Sequence, residues 1–308
     1  MSTTPLTGQL EDLFPGFHST EMATDGPSIF CRYGGQGPPL ILLHGYPQSH
    51  AMWHRIAPAL AERFTVVLPD LRGYGRSGVP ANTADNEPYS KRAMARDILA
   101  VADHFAFHRF QLVGHDRGAR VAYRFALDHP SRLQSLTCLD IVPTFDMWER
   151  FTVDMAMATY HWLFLAQPEP LPEMMIGAHA EGFIDYTLAS WTGTKSLDAF
   201  HPTALADYRK AFSDPARIAA TCHDYRAGQT MDYAIDRADR EAKRRIEVPL
   251  LSVWGETGIP SKGAAPLTVW REWANHVEGH GVPSGHFIPE ENPDALMAHL
   301  LPFLERHL

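Results

Sequence analysis

Cysteine is scarce in this chain, and its placement excludes two kinds of stabilising site. Three cysteines occur in 308 residues, Cys31, Cys138 and Cys222, far apart and without a C-x-x-C spacing. An odd number at such distances predicts neither a disulfide framework nor a zinc site. We therefore expect a protein of the reducing cytoplasm.

Long apolar runs and concentrations of positive charge are missing as well. No stretch is long enough to cross a bilayer, and the N-terminus lacks the basic start and apolar run of a secretory signal. The net charge is −9 with scattered lysines and arginines, which argues against binding to nucleic acid or to an anionic membrane surface. We expect a soluble, unprocessed protein whose partner is a small molecule.

The apolar content of 45% is sufficient for the core of one large domain, or of one domain with an insertion. Short apolar runs alternate with amphipathic stretches, which is typical of βαβ units and a mostly parallel sheet flanked by helices. The predicted strands are residues 28–32, 39–43, 64–68, 110–113, 136–139 and 249–254. The predicted helices are residues 51–62, 90–105, a stretch ending near residue 128, and residues 293–306, with a loop at residues 281–286.

The middle of the chain has a different pattern. Between residues 143 and 245 the apolar runs disappear, and Trp, Met, Tyr and His recur at helical spacing with proline breaks. A structureless insertion of that length would be unusual in a compact domain. We predict an α/β core domain made of residues 1–142 and 246–308, with an inserted helical cap domain at residues 143–245.

A glycine-flanked aspartate directly follows the apolar run at residues 110–113. The pattern Gly114-x-Asp116-x-Gly118 opens a helical stretch and lies downstream of the turn His44-Gly45-Tyr46-Pro47. A sharp strand-to-helix turn between glycines exposes one side chain at the top of a parallel sheet, as the G-x-S-x-G elbow does. We interpret Asp116 as a nucleophile, and the alternative is an N-cap aspartate.

An aspartate nucleophile changes the reaction class, because a carboxylate displaces a leaving group from an sp³ carbon and becomes an ester. Water must then attack the ester carbonyl, which requires a base and an oxyanion hole. His286, in the late loop PSGHF, is the predicted base. The predicted oxyanion donors are the backbone N–H groups of Tyr46 and Arg117.

The base needs a carboxylate to orient its ring, and two residues are candidates. Asp140 follows the run at residues 136–139, and Glu256 follows the run at residues 249–254. The later loop reads WGETG, without the aspartate usually found beyond the tryptophan, so we favour Asp140 over Glu256. The alternative for Asp140 is a helix or turn cap.

Taken together, these motifs resemble the fluoroacetate dehalogenases of the α/β-hydrolase superfamily. The resemblance covers nearly the whole chain and includes the elbow GHDRGAR, the HGYP turn, the DIVPT segment at Asp140, the pair His161-Trp162 and the segment CHDYRAG. Related epoxide hydrolases and haloalkane dehalogenases share the elbow and the HG-x-P turn, so those two motifs do not separate the subfamilies. The resemblance implies an α/β-hydrolase fold, a homodimer, and a reaction without metal or organic cofactor.

The resemblance also assigns substrate contacts. Arg117 and Arg120 match the arginines that bind a haloacetate carboxylate; they lie three residues apart on one helix, and a guanidinium group suits carboxylate recognition. His161, Trp162 and Tyr225 match the halide-binding donors. Without the resemblance, the arginines would be read as surface residues and the aromatic residues as core.

The motifs and the resemblance together imply hydrolysis of fluoroacetate to glycolate and fluoride, with other haloacetates as further candidate substrates. Trp191 either lines the same pocket or only packs. The main alternative is an epoxide hydrolase that uses the same aspartate with two tyrosines of the cap, chosen among Tyr160, Tyr186 and Tyr225. A receptor that has lost activity is a third reading, which the complete set of nucleophile, base and acid disfavours.

Overall fold

The computed structural model describes residues 12–262 and 265–308, and these form a sheet of eight strands in the order β1-β2-β4-β3-β5-β6-β7-β8. The strands β1 and β2 pair antiparallel, as do β2 and β4, and the remaining pairs are parallel. Their bounds are β1 His18–Met22, β2 Ile29–Gly34, β3 Pro39–Leu43, β4 Thr65–Pro69, β5 Phe110–His115, β6 Leu133–Leu139, β7 Leu250–Gly255 and β8 Val277–Val282.

The burial of the central strands β3 and β5 explains why apolar runs in the sequence predicted these strands correctly. Every residue of β5 is buried, and so are all residues of β3 except the first. Parallel strands covered on both faces carry apolar side chains without alternation. The predicted mostly parallel sheet is confirmed.

The two edge strands, by contrast, were not predicted. The sequence of β1 is HSTEM and that of β8 is VEGHGV, and each strand pairs with a single neighbour. Most of their residues are exposed or half-buried, so neither strand has an apolar run. The predicted loop at residues 281–286 is accordingly wrong at its first two positions, which belong to β8.

Helices in the described residues both cover the sheet and fill the segment between β6 and β7. The helices α3, α12 and α14 pack against the sheet, and α4 to α11 lie between β6 and β7. The bounds are α1 Ala57–Ala61, α2 Lys91–His104, α3 Arg117–Asp128, α4 Thr144–Glu149, α5 Val153–Ala158, α6 Tyr160–Leu165, α7 Leu171–Gly177, α8 Ala180–Trp191, α9 Pro202–Phe212, α10 Pro215–Ala227, α11 Tyr233–Glu241, α12 Pro266–Trp273, α13 Ile288–Glu291 and α14 Pro293–Arg306.

Shorter helical turns complete the chain: the 3₁₀ turns His50–Trp53, Glu87–Tyr89, Pro130–Arg132 and Pro260–Lys262, and a π-helical turn at Gly228–Asp232. The helix predicted at residues 51–62 is wrong in extent, because a 3₁₀ turn comes first and α1 begins only next to Pro58. Proline has no N–H to donate and is favoured in the first turn of a helix, where that donor would have no partner within the helix. The helix α12 was not predicted.

The segment from α4 to α11 coincides with the predicted cap, and no strand interrupts it in residues 144–241, all of which are described. Its division from the rest as a separate domain stays a prediction. None of the helices within the described ranges is long and apolar enough to span a membrane.

Candidate active site

Asp116 lies at a sharp turn between β5 and α3, with φ 46° and ψ −117°. Positive φ is unfavourable for a residue with a side chain, and such strain is concentrated at functional sites. The turn also requires glycine on the helix side, because a Cβ on Gly118 would lie 2.3 Å from the carbonyl oxygen of His44. Asp116 occupies the N-cap position of α3, but its side chain makes no capping hydrogen bond, so capping does not account for the aspartate.

The turn after β3 contacts this carboxylate. The backbone N–H of Tyr46 donates to Oδ2 of Asp116 at 3.0 Å. A Cβ on Gly45 would lie 2.5 Å from the Cβ of Asp116, so only glycine allows the two turns to come so close. The other predicted donor, the N–H of Arg117, is at the first residue of α3, where backbone donors have no partner within the helix.

His286 and Asp140 are in contact, as the sequence predicted. The Nδ1 atom of His286 lies 2.6 Å from Oδ2 of Asp140, and the N–H of Gly255 donates to Oδ1 of Asp140 at 2.9 Å. Glu256 is exposed, so it does not compete for this position. The Nε2 atom of His286 is buried and has no hydrogen-bond partner among the described residues.

Charges around the two groups favour their ionised forms. Burial alone would raise the pKa of Asp116, but the His286 imidazole and the guanidinium groups of Arg120 and Arg117 outweigh it and lower that pKa. Burial alone would lower the pKa of His286, but the hydrogen bond and charge of Asp140 outweigh it and raise that pKa. An ionised carboxylate beside a basic imidazole is the arrangement that a nucleophile and a base require.

Arg117 is fully buried, but its guanidinium group is less free than the sequence suggested. Its Nε and Nη2 atoms donate to Oδ2 and Oδ1 of Asp224 at 2.9 and 2.5 Å, and Nη2 also donates to the Asp224 carbonyl at 2.8 Å. Its Nη1 atom is buried and has no partner among the described residues. The sequence led us to expect a guanidinium group wholly available to the substrate. The structure corrects this, because only the Nη1 atom of Arg117 remains available.

Arg120 is also buried, with 3% of its surface exposed, so neither arginine is a surface residue. Its Nη1 atom donates to the carbonyl of Val142 at 3.0 Å and to the hydroxyl of Thr144 at 3.1 Å. Its Nε atom is buried without a partner in the described structure, and the guanidinium lies 4.5 Å from the ring centre of Trp162. Arg120 thus retains a donor that no described residue uses.

The three predicted halide-binding side chains are buried together. The ring of Tyr225 lies 5.6 Å from that of His161 and 6.0 Å from that of Trp162. The Nδ1 atom of His161 and the hydroxyl of Tyr225 have no partner among the described residues. Burial holds the pKa of His161 well below its usual range and the pKa of Tyr225 well above, so His161 is neutral and Tyr225 keeps its O–H.

Trp191 belongs to the same group of side chains. Its ring centre lies 4.2 Å from that of His161 and 5.6 Å from that of His286. The other tyrosines considered for an epoxide reaction are less enclosed, since Tyr160 is half-buried and Tyr186 is 63% exposed.

Asp224 was missed by the sequence reasoning. Both of its oxygens are occupied: Lys91 and Arg117 donate to Oδ1, and Tyr74 and Arg117 donate to Oδ2. Its position beside Tyr225 in the segment CHDYRAG was the available signal, because a buried carboxylate next to a binding residue requires a cationic partner.

Comparison with known proteins places the chain in a family. Residues 38–293 match the α/β-hydrolase fold family. A fluoroacetate dehalogenase from Burkholderia sp is 42% identical over 292 residues, which cover 95% of this chain and 95% of the relative. A soluble epoxide hydrolase from Corynebacterium sp. (strain C12) is 31% identical over 271 residues, which cover 87% of this chain and 91% of the relative.

A solved structure agrees over the same span. The crystal structure of a protein from Nostoc sp PCC 7120 is 48% identical, has a TM-score of 0.91 and covers 94% of this chain and 98% of that chain. The chain therefore belongs to the α/β-hydrolase family and is an enzyme, and the resemblance to fluoroacetate dehalogenases indicated by its motifs is confirmed.

Proposed function

We propose that the protein hydrolyses fluoroacetate to glycolate and fluoride through a covalent ester on Asp116. One observation carries the proposal: several buried donors near this carboxylate have no partner among the described residues. They are Nη1 of Arg117, Nε of Arg120, Nδ1 of His161 as its N–H tautomer, and the hydroxyl of Tyr225. An unpaired buried donor costs about 1–3 kcal/mol, so such a set indicates a site shaped for an anionic ligand.

In the first step the substrate carboxylate is bound by Arg117 and Arg120. Since Oδ2 of Asp116 already accepts from Tyr46, Oδ1 attacks the carbon that carries fluorine. The new C–O bond forms as the C–F bond breaks, and fluoride leaves with the electron pair. His161, Trp162 and Tyr225 donate to the developing fluoride charge, which makes a poor leaving group tolerable.

In the second step His286 removes a proton from water, and the resulting hydroxide attacks Cγ of the esterified Asp116. The N–H groups of Tyr46 and Arg117 stabilise the oxyanion, and Asp140 stabilises the imidazolium. Collapse breaks the bond between Cγ and the ester oxygen, and His286 returns its proton to the leaving glycolate oxygen. The proton of the new carboxyl group leaves to solvent, which restores Asp116.

The similarity to the Burkholderia fluoroacetate dehalogenase supports fluoroacetate as the substrate, and turnover of other haloacetates is part of the same proposal. The expected assembly is a homodimer in the cytoplasm. Light scattering on the purified protein tests the dimer.

Trapping the intermediate tests the mechanism. After incubation of His286→Asn with fluoroacetate, intact-mass spectrometry should show a carboxymethyl ester, and peptide mapping should locate it on Asp116. Asp116→Asn is the control and should remain unmodified. An unmodified His286→Asn protein that still releases fluoride would contradict the proposal.

The similarity to the Corynebacterium epoxide hydrolase keeps a second candidate under test. Fluoride release from fluoroacetate and ring opening of styrene oxide should be measured side by side. Turnover of the neutral epoxide with none of any haloacetate would favour the epoxide hydrolase, because that substrate has no carboxylate for the two arginines.

A further inference from the structure

The loop that carries His286 is in backbone contact with the last residue of α8 and with the residues that follow it. The N–H of His286 donates to the carbonyl of Trp191 at 2.9 Å. A Cβ on Gly285 would lie 2.4 Å from the backbone nitrogen of Gly193 and 2.6 Å from the Trp191 carbonyl oxygen. No side chain fits between the two segments, so the position of one determines the position of the other.

A single carboxylate joins the two segments. Oε1 of Glu291 accepts from the N–H of Phe287 at 2.9 Å, and Oε2 accepts from the N–H groups of Gly285 at 3.0 Å and Gly193 at 2.7 Å. The carboxylate therefore holds the chain on both sides of His286 and also binds the segment at residues 191–193. Hydrogen bonds to an ionised acceptor are roughly twice as strong as neutral ones.

The segment at residues 191–193 also contributes to the pocket. Trp191 is its first residue, and its ring packs against the rings of His161 and His286. Glu291 thus connects the base to a side chain that contacts the proposed halide site. Its own oxygens bind backbone groups and take no part in the chemical steps.

We propose that Glu291 is a positioning residue that orients His286 for hydrolysis of the ester and fixes it relative to the segment at residues 191–193. The inference rests on the proposed function, in which His286 acts as a base only in the second step. A base must be held within about 0.5 Å of its productive position, so loosening the loop slows that step. Alkylation of Asp116 has no such requirement.

Glu291→Gln tests the inference, because its amide has one acceptor oxygen and cannot serve the N–H groups on both sides of His286. With enzyme in excess over fluoroacetate, rapid quenching should separate fluoride release from decay of the ester seen by mass spectrometry. We expect fluoride release within about twofold of the unsubstituted enzyme and ester decay slowed by about 10–100-fold, a loss typical of a small displacement of a catalytic group.

Glu290→Gln is the matched control on the same helix. Glu290 is buried and accepts from Gln48 and from the hydroxyl of Tyr208 at 3.2 Å. Burial raises its pKa to about 8, which favours the neutral form, so glutamine is a close replacement. Both steps should keep their rates. If Glu291→Gln does not fold, Glu291→Asp keeps the charge, and its shorter side chain should slow ester decay alone.

The outcomes separate this inference from the proposed function. If His286→Asn accumulates no ester, the proposed function fails. If His286→Asn accumulates ester while Glu291→Gln decays at the normal rate, or loses both steps equally, only the positioning role is overturned. A defect confined to ester decay supports the inference, since a general loss of stability would not distinguish the two steps.

Discussion

Two groups of buried charges meet at the first residue of α3, and they differ in how completely they are paired. In the group around Asp224, each carboxylate oxygen accepts from two donors, drawn from Lys91, Tyr74 and Arg117. In the group around Asp116, the Nε atom of Arg120, the Nδ1 atom of His161 and the hydroxyl of Tyr225 have no partner among the described residues.

This difference indicates that the group around Asp224 has a structural role and the group around Asp116 a ligand-binding role. Asp224 pairs with the Nε and Nη2 atoms of Arg117 and so holds this guanidinium group in one orientation, with only its Nη1 atom left for a ligand. Buried donors left unpaired are costly unless a ligand completes them. The second group is therefore the proposed place of chemistry, and the first keeps its geometry.

The largest expected effect is a loss of kcat when the orientation of the base His286 is disturbed. Asp140→Asn should lower kcat for fluoride release by about 10⁴-fold, because the amide favours the wrong tautomer of His286. The matched control is Glu256→Gln, an exposed residue on the neighbouring loop, which should leave kcat unchanged. A fluoride electrode measures both rates, and a loss of less than about tenfold in Asp140→Asn would remove Asp140 from the mechanism.

The paired group should respond in stability. Asp224→Asn leaves Lys91 and Arg117 without their shared anion, and breaking a buried pair costs about 3–5 kcal/mol of unfolding free energy. Urea denaturation measures this value. The exposed Asp154→Asn serves as control and should change it by less than about 0.5 kcal/mol. Equal effects of both substitutions would show that pairing at Asp224 has no special role.

Substitution of Arg120 comes next in size, and its effect should appear in kcat/KM for fluoroacetate. Arg120→Ala removes a charged donor worth about 1.5–3 kcal/mol, so kcat/KM for fluoroacetate should fall by about 10–200-fold. Arg120→Lys keeps the charge without the planar fork, so its kcat/KM should lie between those of Arg120→Ala and the unsubstituted enzyme. If kcat/KM of Arg120→Ala equalled that of the unsubstituted enzyme, the proposed role of Arg120 in binding the substrate would be contradicted.

The smallest effect is a displacement along the pH axis. His286 must be neutral to accept a proton, and Asp140 raises its pKa, so ester decay should be lost as pH falls through a value above the ordinary imidazole pKa of about 6.5. Below that value the rate should fall about tenfold per pH unit. In Asp140→Asn the residual activity should show this limb at lower pH; a limb that does not move would assign it to another group.

Residue patterns explain how far the sequence predicted this arrangement. The fold was predictable because buried strands such as β3 and β5 are apolar throughout, whereas the edge strands β1 and β8 are polar and were missed. Asp140 was preferred over Glu256 because the later loop WGETG lacks the aspartate usually found beyond the tryptophan, and the structure shows Asp140 in contact with His286. Asp224 lies 107 residues beyond Arg117, and only tertiary packing brings the two together, so no local pattern predicted the restraint on Arg117.

One turnover in water enriched in heavy oxygen tests the central claim most directly. If Asp116 is esterified and water attacks its Cγ, the heavy oxygen should appear in the Asp116 side chain, detected by mass spectrometry of the elbow peptide. The first glycolate released should carry only the ordinary isotope. Heavy oxygen found in that glycolate, with none in Asp116, would contradict the covalent mechanism.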